Sequence, residues 1–444
     1  LVMPLFRHMR LVSVYAYLER RFDLATRLVL SALFQFVRAF ATAVTVYSIS
    51  LVIELITGLG FTASVLLLGA FTILYDVLGG IRGVIYSDVM QLLILAGMLV
   101  LVALYLVNDG GGIASIWQQF EGERRQVLDF SHHGLGDGQT FAFWPMLFGG
   151  LFLYVSYYGC DQSQVQRQLS TRDIDGTNNA LLINGLLRFP LVLLYCFVGV
   201  GIGVYATTHP EFIAALPVRD GSLEYNLAVP LYMINALPVG LVGLSLVALF
   251  AAAMSSLDSV LNSLSATTME DFVRRFSRAD WSPRRELLYS RGITAVWGAI
   301  TLGMAFFVGD IAPTVIEAIN KIGSLANGPI LAVFALGFLT RKTAGLHAIA
   351  GLLLGIAGNA LLWLYQPQVS WLWWNVIGFL VTFGTGVCLA AAYPLAVAVA
   401  RDTAVSDSRG YLASEASHDW YQRSLWLLAW FGLLLILMAA LQIA

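Results

Sequence analysis

The sequence predicts an all-α protein that crosses a membrane many times, and three observations support this. Hydrophobic residues make up 58% of the 444 residues, and charged residues make up only 12%, whereas about 25% is usual in soluble domains. The mean hydropathy is +0.77. Apolar stretches long enough to cross a bilayer, for which about 20 residues suffice, recur along the chain. This composition excludes an ordinary soluble enzyme.

Eleven segments are predicted to span the membrane within a single domain, residues 1–444. A tight turn at 79–83 is expected between the second and third spans, a polar loop at 108–140, and polar connectors at 161–172 and 271–291. Pro190 can kink the fifth span, because proline removes a backbone hydrogen bond. The predicted spans are 28–55, 61–78, 84–107, 141–160, 180–205, 239–270, 292–308, 313–339, 346–365, 371–399 and 425–443.

The charges predict both orientation and partners. Most of the 25 Lys and Arg residues fall in alternate connectors, so the positive-inside rule places segments 7–27 and 271–291 in the cytoplasm. We therefore expect a multi-pass protein of the inner or plasma membrane.

The net charge is −2 and the basic residues are scattered, which argues against nucleic-acid binding. No nucleophile–base pair, metal-ligand cluster or phosphate-binding glycine loop is found, so the sequence does not predict an enzyme.

The segment 248–271 is rich in side-chain oxygens. Ser255, Ser259 and Asn262 are spaced at i, i+4 and i+7 and share one helical face, with Asp258 on an adjoining stripe. A carboxylate facing lipid costs about 3 kcal/mol or more, so we expect these groups to face a cavity or an ion. Oxygen ligands suit a hard cation such as Na⁺. The alternative is that each hydroxyl only bonds back to its own helix backbone.

The run from Ala252 to Ser263, AAMSSLDSVLNS, closely resembles the signature helix of the solute:sodium symporter family, which includes bacterial sodium–galactose and sodium–sialic acid transporters. Residues 14–22, 72–91, 157–167 and 316–324 resemble further family segments in the same order. The resemblance implies a leucine-transporter-type inverted-repeat core with sites near the membrane midplane. It assigns 1–107 to the remainder of the first repeat, 141–340 to the second and 345–444 to accessory helices. The first two core helices are expected to be missing from an N-terminally incomplete chain.

The resemblance also implies sodium ligands. The carbonyl of Ala252 and the hydroxyls of Ser255 and Ser256 are expected to help bind the shared Na⁺, the co-transported ion. Asp88 is expected to join Ser255 and Ser259 at a second sodium site, unless it is a solvated carboxylate at the membrane interface. Asp258 stands where the sialic acid relatives carry a hydroxyl. Two carboxylates could bind a cation more strongly, or one could hold a proton.

The implied solute contacts come from four other helices. Arg188 stands where sugar-transporting relatives carry a lysine that contacts substrate, and Asn320 stands near a substrate-contacting glutamine, with Lys321 next to it. Arg38 lies on the helix that supplies a carboxylate-binding arginine in the sialic acid transporters. Tyr157 matches a tyrosine that gates the sugar from the cytoplasmic side, although an aromatic residue at a helix end also suits ordinary packing or the interfacial belt.

Several cations around one pathway favour an anionic or highly hydroxylated solute, because arginine binds carboxylate bidentately. Internal ion pairs with Glu317 or Asp258 are the alternative explanation for these cations. The sequence therefore predicts a sodium-coupled secondary symporter that imports a small polar organic solute, such as a sugar, sialic acid or another carboxylate, by alternating access. A solute sensor on the same fold and an uncoupled uniporter remain as alternatives.

Overall fold

The computed structural model describes residues 2–120, 122–219, 221–277, 281–309, 314–395 and 416–443, and helices dominate them. One small antiparallel hairpin joins β1 (Val218–Arg219) to β2 (Ser222–Leu223). A π-helical turn, Pro145–Gly149, leads into α6, and another, Thr268–Val273, follows α11. The helices are α1 Met3–His8, α2 Ala16–Arg21, α3 Leu24–Thr57, α4 Phe61–Asp109, α5 Ile113–Gln119, α6 Gly150–Cys160, α7 Gln162–Leu169, α8 Ile174–Thr208, α9 Pro210–Ala214, α10 Ala228–Ala236, α11 Val239–Thr267, α12 Arg274–Phe276, α13 Pro283–Ala305, α14 Val315–Leu339, α15 Gly345–Tyr365, α16 Trp371–Ala392 and α17 Trp420–Ile443.

Nine helical segments of the described residues are long and apolar enough to cross a membrane. They match nine of the eleven predicted spans. The predicted span 141–160 instead begins in the π-helical turn and continues as the short helix α6. The predicted span 292–308 lies largely in α13, which ends at Ala305 and whose first turns carry Arg284, Arg285 and Glu286. Residues 396–399, the end of another predicted span, and residue 313, the start of a third, lie outside the described residues.

The structure corrects two predicted breaks. The turn expected at 79–83 is wrong, because α4 is helical without interruption from Phe61 to Asp109. Each glycine in a helix costs only about 1 kcal/mol, so the three glycines at 79–83 do not by themselves end the helix. The connector expected at 161–172 is largely the helix α7, which begins at an N-cap where the Asp161 carboxylate accepts from the Ser163 N–H at 2.8 Å.

Helix α11 is central in the packing, because it contacts α3, α4 and α13, while α14 packs against α3, α6, α15 and α16. Small residues allow close approach of α14, α15 and α16, which is typical of helix packing in membranes. A Cβ atom at Gly351 would lie 2.5 Å from the carbonyl oxygen of Thr382. The Asn375 side chain donates to Ser324 Oγ at 2.9 Å across the α14–α16 interface. This bundle forms one wall beside the polar interior.

A buried carboxylate ties the end of α11 to the start of the chain. Asp271 accepts hydrogen bonds from Ser13 Oγ at 2.9 Å, from Ser31 Oγ at 2.8 Å and from Arg27 Nε at 2.9 Å. Arg27 also contacts Glu19 at 2.7 Å. Burial acts to raise the pKa of Glu19, but Arg27 and a second arginine hold that pKa below its ordinary value. We call Asp271 with Ser13, Arg27 and Ser31 the Asp271 cluster.

Candidate cation and solute cavities

A polar cavity of about 410 Å³ lies between α3, α4, α7 and α11, and we call it the cation cavity. Four predicted sodium-binding residues of α11 line it: Ala252, Ser255, Ser256 and Ser259. Asp88 of α4 also lines it, so five of the six residues predicted from the sequence meet at one place. Because Ser255 and Ser259 are one helical turn apart, α11 presents both to the same side.

The serine hydroxyls bond to their own helix backbone and still line the cavity. Ser255 Oγ donates to the Ala252 carbonyl at 3.1 Å, and Ser256 Oγ donates to the same carbonyl at 3.3 Å. Ser259 Oγ donates to the Ser256 carbonyl at 3.3 Å. A hydroxyl that donates its single proton keeps acceptor lone pairs on oxygen. Backbone bonding and cation binding are therefore compatible at these residues.

Asp88 contributes a carboxylate that is only half engaged. Arg167 Nη2 of α7 donates to Asp88 Oδ2 at 2.8 Å, whereas Asp88 Oδ1 is buried and has no hydrogen-bond partner among the described residues. The Gln91 Oε1 atom, which also belongs to a lining residue, is likewise buried and unpartnered. Such oxygens are the ligands that hard cations prefer. Among the residues that the structure describes, no group of three His, Cys, Asp or Glu residues could hold a metal ion, so hydroxyl, amide and carbonyl oxygens would supplement one carboxylate.

Asp258 lies on another side of α11. It is fully buried, its Oδ2 atom accepts a hydrogen bond from the Tyr75 hydroxyl of α4, and it does not line the cation cavity. The structure thus separates this carboxylate from the hydroxyls that surround it in the sequence. The side chain points about 100° around the helix from its neighbour Ser259, as the 3.6-residue period requires.

A second cavity, of about 350 Å³, lies between α3, α6, α8 and α14, and we call it the solute cavity. Four of the five residues predicted to contact solute line it: Arg38, Tyr157, Arg188 and Asn320. Lys321 does not line it, and its ammonium group lies 5.4 Å from the centre of the Trp363 ring instead. Adjacent residues on a helix point about 100° apart, which accounts for the separation of Lys321 from Asn320.

Arg38 and Tyr157 line both cavities and form a shared wall. Arg38 Nε donates to Asp161 Oδ2 at 2.7 Å, and its guanidinium lies 4.9 Å from the centre of the Tyr157 ring. Gln164 Nε2 donates to the Tyr157 hydroxyl at 2.8 Å. The sequence correctly raised an ion pair as the alternative for Arg38, but named Glu317 or Asp258 as candidates, whereas the contact is with Asp161. The positive charge of Arg38 is therefore largely neutralised by Asp161.

Arg188 differs from Arg38 because its neighbours are neutral. Its guanidinium donates to the Tyr158 hydroxyl at 2.7 Å and to the Tyr154 hydroxyl at 3.2 Å, and it lies 4.9 Å from the centre of the Tyr154 ring. In the described part of the chain it has no ion pair with a carboxylate. A guanidinium with only phenol partners retains the capacity to bind an anion.

Several residues that shape these cavities were not among the residues predicted from the sequence. Gln91 and Arg167 line the cation cavity, Tyr154 lines the solute cavity, and Asp161 holds Arg38. Gln91, Asp161 and Arg167 lie inside segments that already resembled the family, so position within those segments was the available signal. Tyr154 lies about one helical turn before the family-like segment 157–167, so its position gave no indication of a role.

Long apolar helices that enclose two adjoining polar cavities, one with an oxygen-rich cation environment, define a secondary transporter for small solutes. The profile of the sodium:solute symporter family matches residues 1–355. The chain belongs to this family.

Individual relatives agree with this assignment. The human sodium-coupled monocarboxylate transporter 1 is 30% identical, over 80% of this chain and 57% of its own length. A sodium/sialic acid symporter of Aliivibrio fischeri is 30% identical, over 88% of this chain and 76% of its own length. A solved substrate-bound, outward-open structure of a Na⁺-coupled sialic acid symporter matches with a TM-score of 0.78 at 26% identity, over 90% of this chain and 81% of that one.

These similarities confirm four predictions at the level of the family. They confirm the all-α membrane fold related to the leucine transporter, the class of sodium-coupled symporters of small solutes, Na⁺ as the coupling ion, and a multi-pass location in the cell membrane. The residues that bind Na⁺, the residues that bind solute and the identity of the solute are inferred from the two cavities.

Proposed function

We propose that the protein imports a small organic carboxylate together with Na⁺, without chemical change to the solute. The observation that carries this is the pair of adjoining cavities, which differ in character and share the wall formed by Arg38 and Tyr157. A cation and an anion bound on the two sides of one wall attract each other, so that each raises the affinity for the other, a coupling typically worth about 1–3 kcal/mol.

Na⁺ binds in the cation cavity in this proposal. The Ala252 carbonyl with the Ser255 and Ser256 hydroxyls forms one ligand group. Asp88 Oδ1 with Ser259 and Gln91 forms a second, supported by the buried, unpartnered oxygens of Asp88 and Gln91. One Na⁺ with one carboxylate anion carries no net charge, whereas each further Na⁺ that moves inward across 100 mV releases about 2.3 kcal/mol, which is enough for roughly 50-fold accumulation of solute.

The solute binds in the solute cavity, and Arg188 binds its carboxylate. Arg188 suits this role better than Arg38, because Asp161 already neutralises Arg38. Asn320 supplies a further polar contact from α14, and the tyrosine rings of α6 supply apolar surface. A volume of about 350 Å³ lies at the small end of the range for ligand pockets. The similarity to a sialic acid symporter supports an acidic solute.

The decisive measurement is uptake into proteoliposomes by the protein at its natural length, in Na⁺ or in choline. The solute panel contains sialic acid, short monocarboxylates, neutral hexoses and amino acids. We expect Na⁺-dependent uptake of one acidic solute, and loss of at least about tenfold in Ser256→Ala because an oxygen ligand is removed. The matched control is Ser245→Ala on the same helix, since Ser245 is fully buried, bonds to the Val242 carbonyl at 2.7 Å and lines neither cavity.

Two results would contradict the proposal. Uptake that is equal in Na⁺ and choline would identify an uncoupled uniporter. Solute binding without uptake, unaffected by Ser256→Ala, would identify a sensor and reduce the hydroxyl cluster to helix packing.

A further inference from the structure

The segment 12–15, which lies between α1 and α2, is bound to the junction of α6 and α7 by one glutamine. The Val14 N–H donates to Gln162 Oε1 at 2.8 Å, and Gln162 Nε2 donates to the carbonyl of Val12 at 2.8 Å. Gln162 is 1% exposed and Val14 is 0% exposed. The two ends of one buried amide therefore hold a single stretch of backbone, and we call this pair of hydrogen bonds the Gln162 clamp.

Tyr15, the last residue of this segment, lines the solute cavity. It is 1% exposed, and its ring centre lies 5.5 Å from that of Phe34 on α3 and 6.3 Å from that of Phe334 on α14. Its hydroxyl donates a long hydrogen bond, 3.4 Å, to the carbonyl of Cys160 at the end of α6. The last carbonyls of a helix lack partners within that helix, so the break between α6 and α7 provides this acceptor. A ring that is buried between α3 and α14 obstructs passage at this end of the cavity.

The distribution of basic residues indicates that this is the cytoplasmic end of the cavity. The positive-inside rule places segment 7–27, which contains Tyr15, in the cytoplasm. Arg167 and Arg172 follow the α6–α7 junction closely, so the same rule places that junction on the same side. Arg188 lies 14 residues after the start of α8 at Ile174, which corresponds to about 20 Å along the helix. Solute bound by Arg188 therefore lies deeper in the membrane than Tyr15.

The same segment is also bonded to the end of α11, the helix that carries the cavity serines. Ser13 Oγ accepts from the Tyr15 N–H at 3.3 Å and donates to Asp271 at 2.9 Å. Asp271 in turn accepts from Arg27 and Ser31. Tyr15 is therefore held from two sides, by the Gln162 clamp and by the Asp271 cluster.

We propose that Tyr15 is the cytoplasmic gate of the solute cavity and that the Gln162 clamp holds this gate closed. Solute leaves for the cytoplasm when segment 12–15 parts from Gln162 and the Tyr15 ring moves out from between α3 and α14. Opening also requires the contact between Ser13 and Asp271 to yield, which links the gate to the helix that lines the cation cavity. This inference rests on the proposed function in taking the cavity beside Tyr15 as the solute site.

The accessibility of Cys160 tests the gate, because this buried residue lines the solute cavity and its carbonyl contacts Tyr15. The parent protein has its natural length and every cysteine except Cys160 replaced by alanine. It is placed in membrane vesicles of either orientation in choline medium. The rate of labelling by a membrane-impermeant methanethiosulfonate cation is then measured from each face of the membrane.

Gln162→Ala should raise the rate of labelling from the cytoplasmic face by about tenfold or more. It removes two buried hydrogen bonds of the closed state, and each changes an equilibrium by about fivefold. Tyr15→Ala should have an effect at least as large, because it removes the ring itself. Tyr15→Phe loses only the long hydroxyl contact, so the rate should change by about threefold or less. Labelling from the extracellular face should stay the same or fall in all three variants.

The matched control is Gln168→Ala on the same helix. Gln168 is 8% exposed, donates to the carbonyl of Tyr158 at 3.2 Å and lines neither cavity. This variant also loses a buried glutamine of α7, but it leaves the Gln162 clamp intact. Its labelling rates should match those of the parent from both faces.

Equal cytoplasmic labelling of the parent, Gln162→Ala and Tyr15→Ala would overturn the proposal, as would the absence of cytoplasmic labelling in all three. A rise of similar size from both faces would also overturn it, because the contacts would then only stabilise the fold. If Tyr15→Ala fails to fold, Gln162→Ala and its control decide the outcome. The readout requires neither Na⁺ nor transport, so failure of the symport proposal would be recognised separately in the uptake assay.

Discussion

The cation cavity and the solute cavity are neighbours of similar size, yet they are built from different chemistry. Serine hydroxyls, a backbone carbonyl and Asp88 line the first, whereas Arg188, Asn320 and tyrosine rings line the second. Each cavity contains one ion pair. Arg167 pairs with Asp88 in the cation cavity, and Asp161 pairs with Arg38 in the solute cavity. Asp88 Oδ1 and the Arg188 guanidinium are left without such a partner among the described residues, and the proposed binding of Na⁺ and of a carboxylate depends on them.

The number of charges near a transport pathway is a poor guide to its substrate. Arg38 and Arg188 are both arginines in apolar helices, and the sequence treats them alike. The structure distinguishes them, because within the described part of the chain Arg38 contacts a carboxylate and Arg188 does not. Selectivity for the solute is therefore expected to depend on Arg188.

Replacement of Arg188 by glutamine should have the largest effect on the solute side. Loss of a charge-assisted, bidentate contact costs about 3 kcal/mol, or roughly 100-fold in the uptake of a carboxylate. Arg188→Lys should recover only part of this loss, because lysine is a point charge. Kinetics with the acid and its amide check the cause: the amide should be nearly indifferent to the substitution, and an equal loss for both would contradict the role of Arg188.

The cation cavity should respond to its two charged residues in opposite directions. Asp88→Asn removes its carboxylate, so the Na⁺ concentration for half-maximal uptake should rise about tenfold or more. Arg167→Gln frees Asp88 from its ion pair, so this concentration should fall, by roughly threefold. Sodium titrations at saturating solute measure both. If both variants weaken Na⁺ binding, the Asp88–Arg167 pair is a structural contact instead.

A change in the shared wall should have a small effect. Tyr157→Phe removes one hydrogen bond, from Gln164 at 2.8 Å, and keeps the ring beside Arg38. A neutral hydrogen bond contributes about 1 kcal/mol, so uptake should change by about fivefold or less while the preference for acid over amide stays the same. A change in that preference would place Tyr157 in direct contact with the carboxylate.

Much of the site could be predicted because helical spacing placed Ser255 and Ser259 on one face and the family resemblance implied the other candidates. Five sodium candidates and four solute candidates line the expected cavities. What spacing could not provide was the partner on the neighbouring helix. Asp258 faces α4 and Lys321 faces Trp363, because residues adjacent on a helix diverge and tertiary packing decides what each one meets. The assignment of 1–107 and 141–340 to two repeats stays a prediction.

The Asp271 cluster has a consequence for biogenesis. Its partners Ser13, Arg27 and Ser31 are synthesised some 240 residues before the carboxylate that they bind. When α11 enters the membrane, the donors for Asp271 already exist, so the acid can be neutralised as soon as the helices meet. Removal of one partner from a buried ion pair costs about 3–5 kcal/mol. A substitution at Arg27 should therefore reduce the yield of inserted protein before it affects transport.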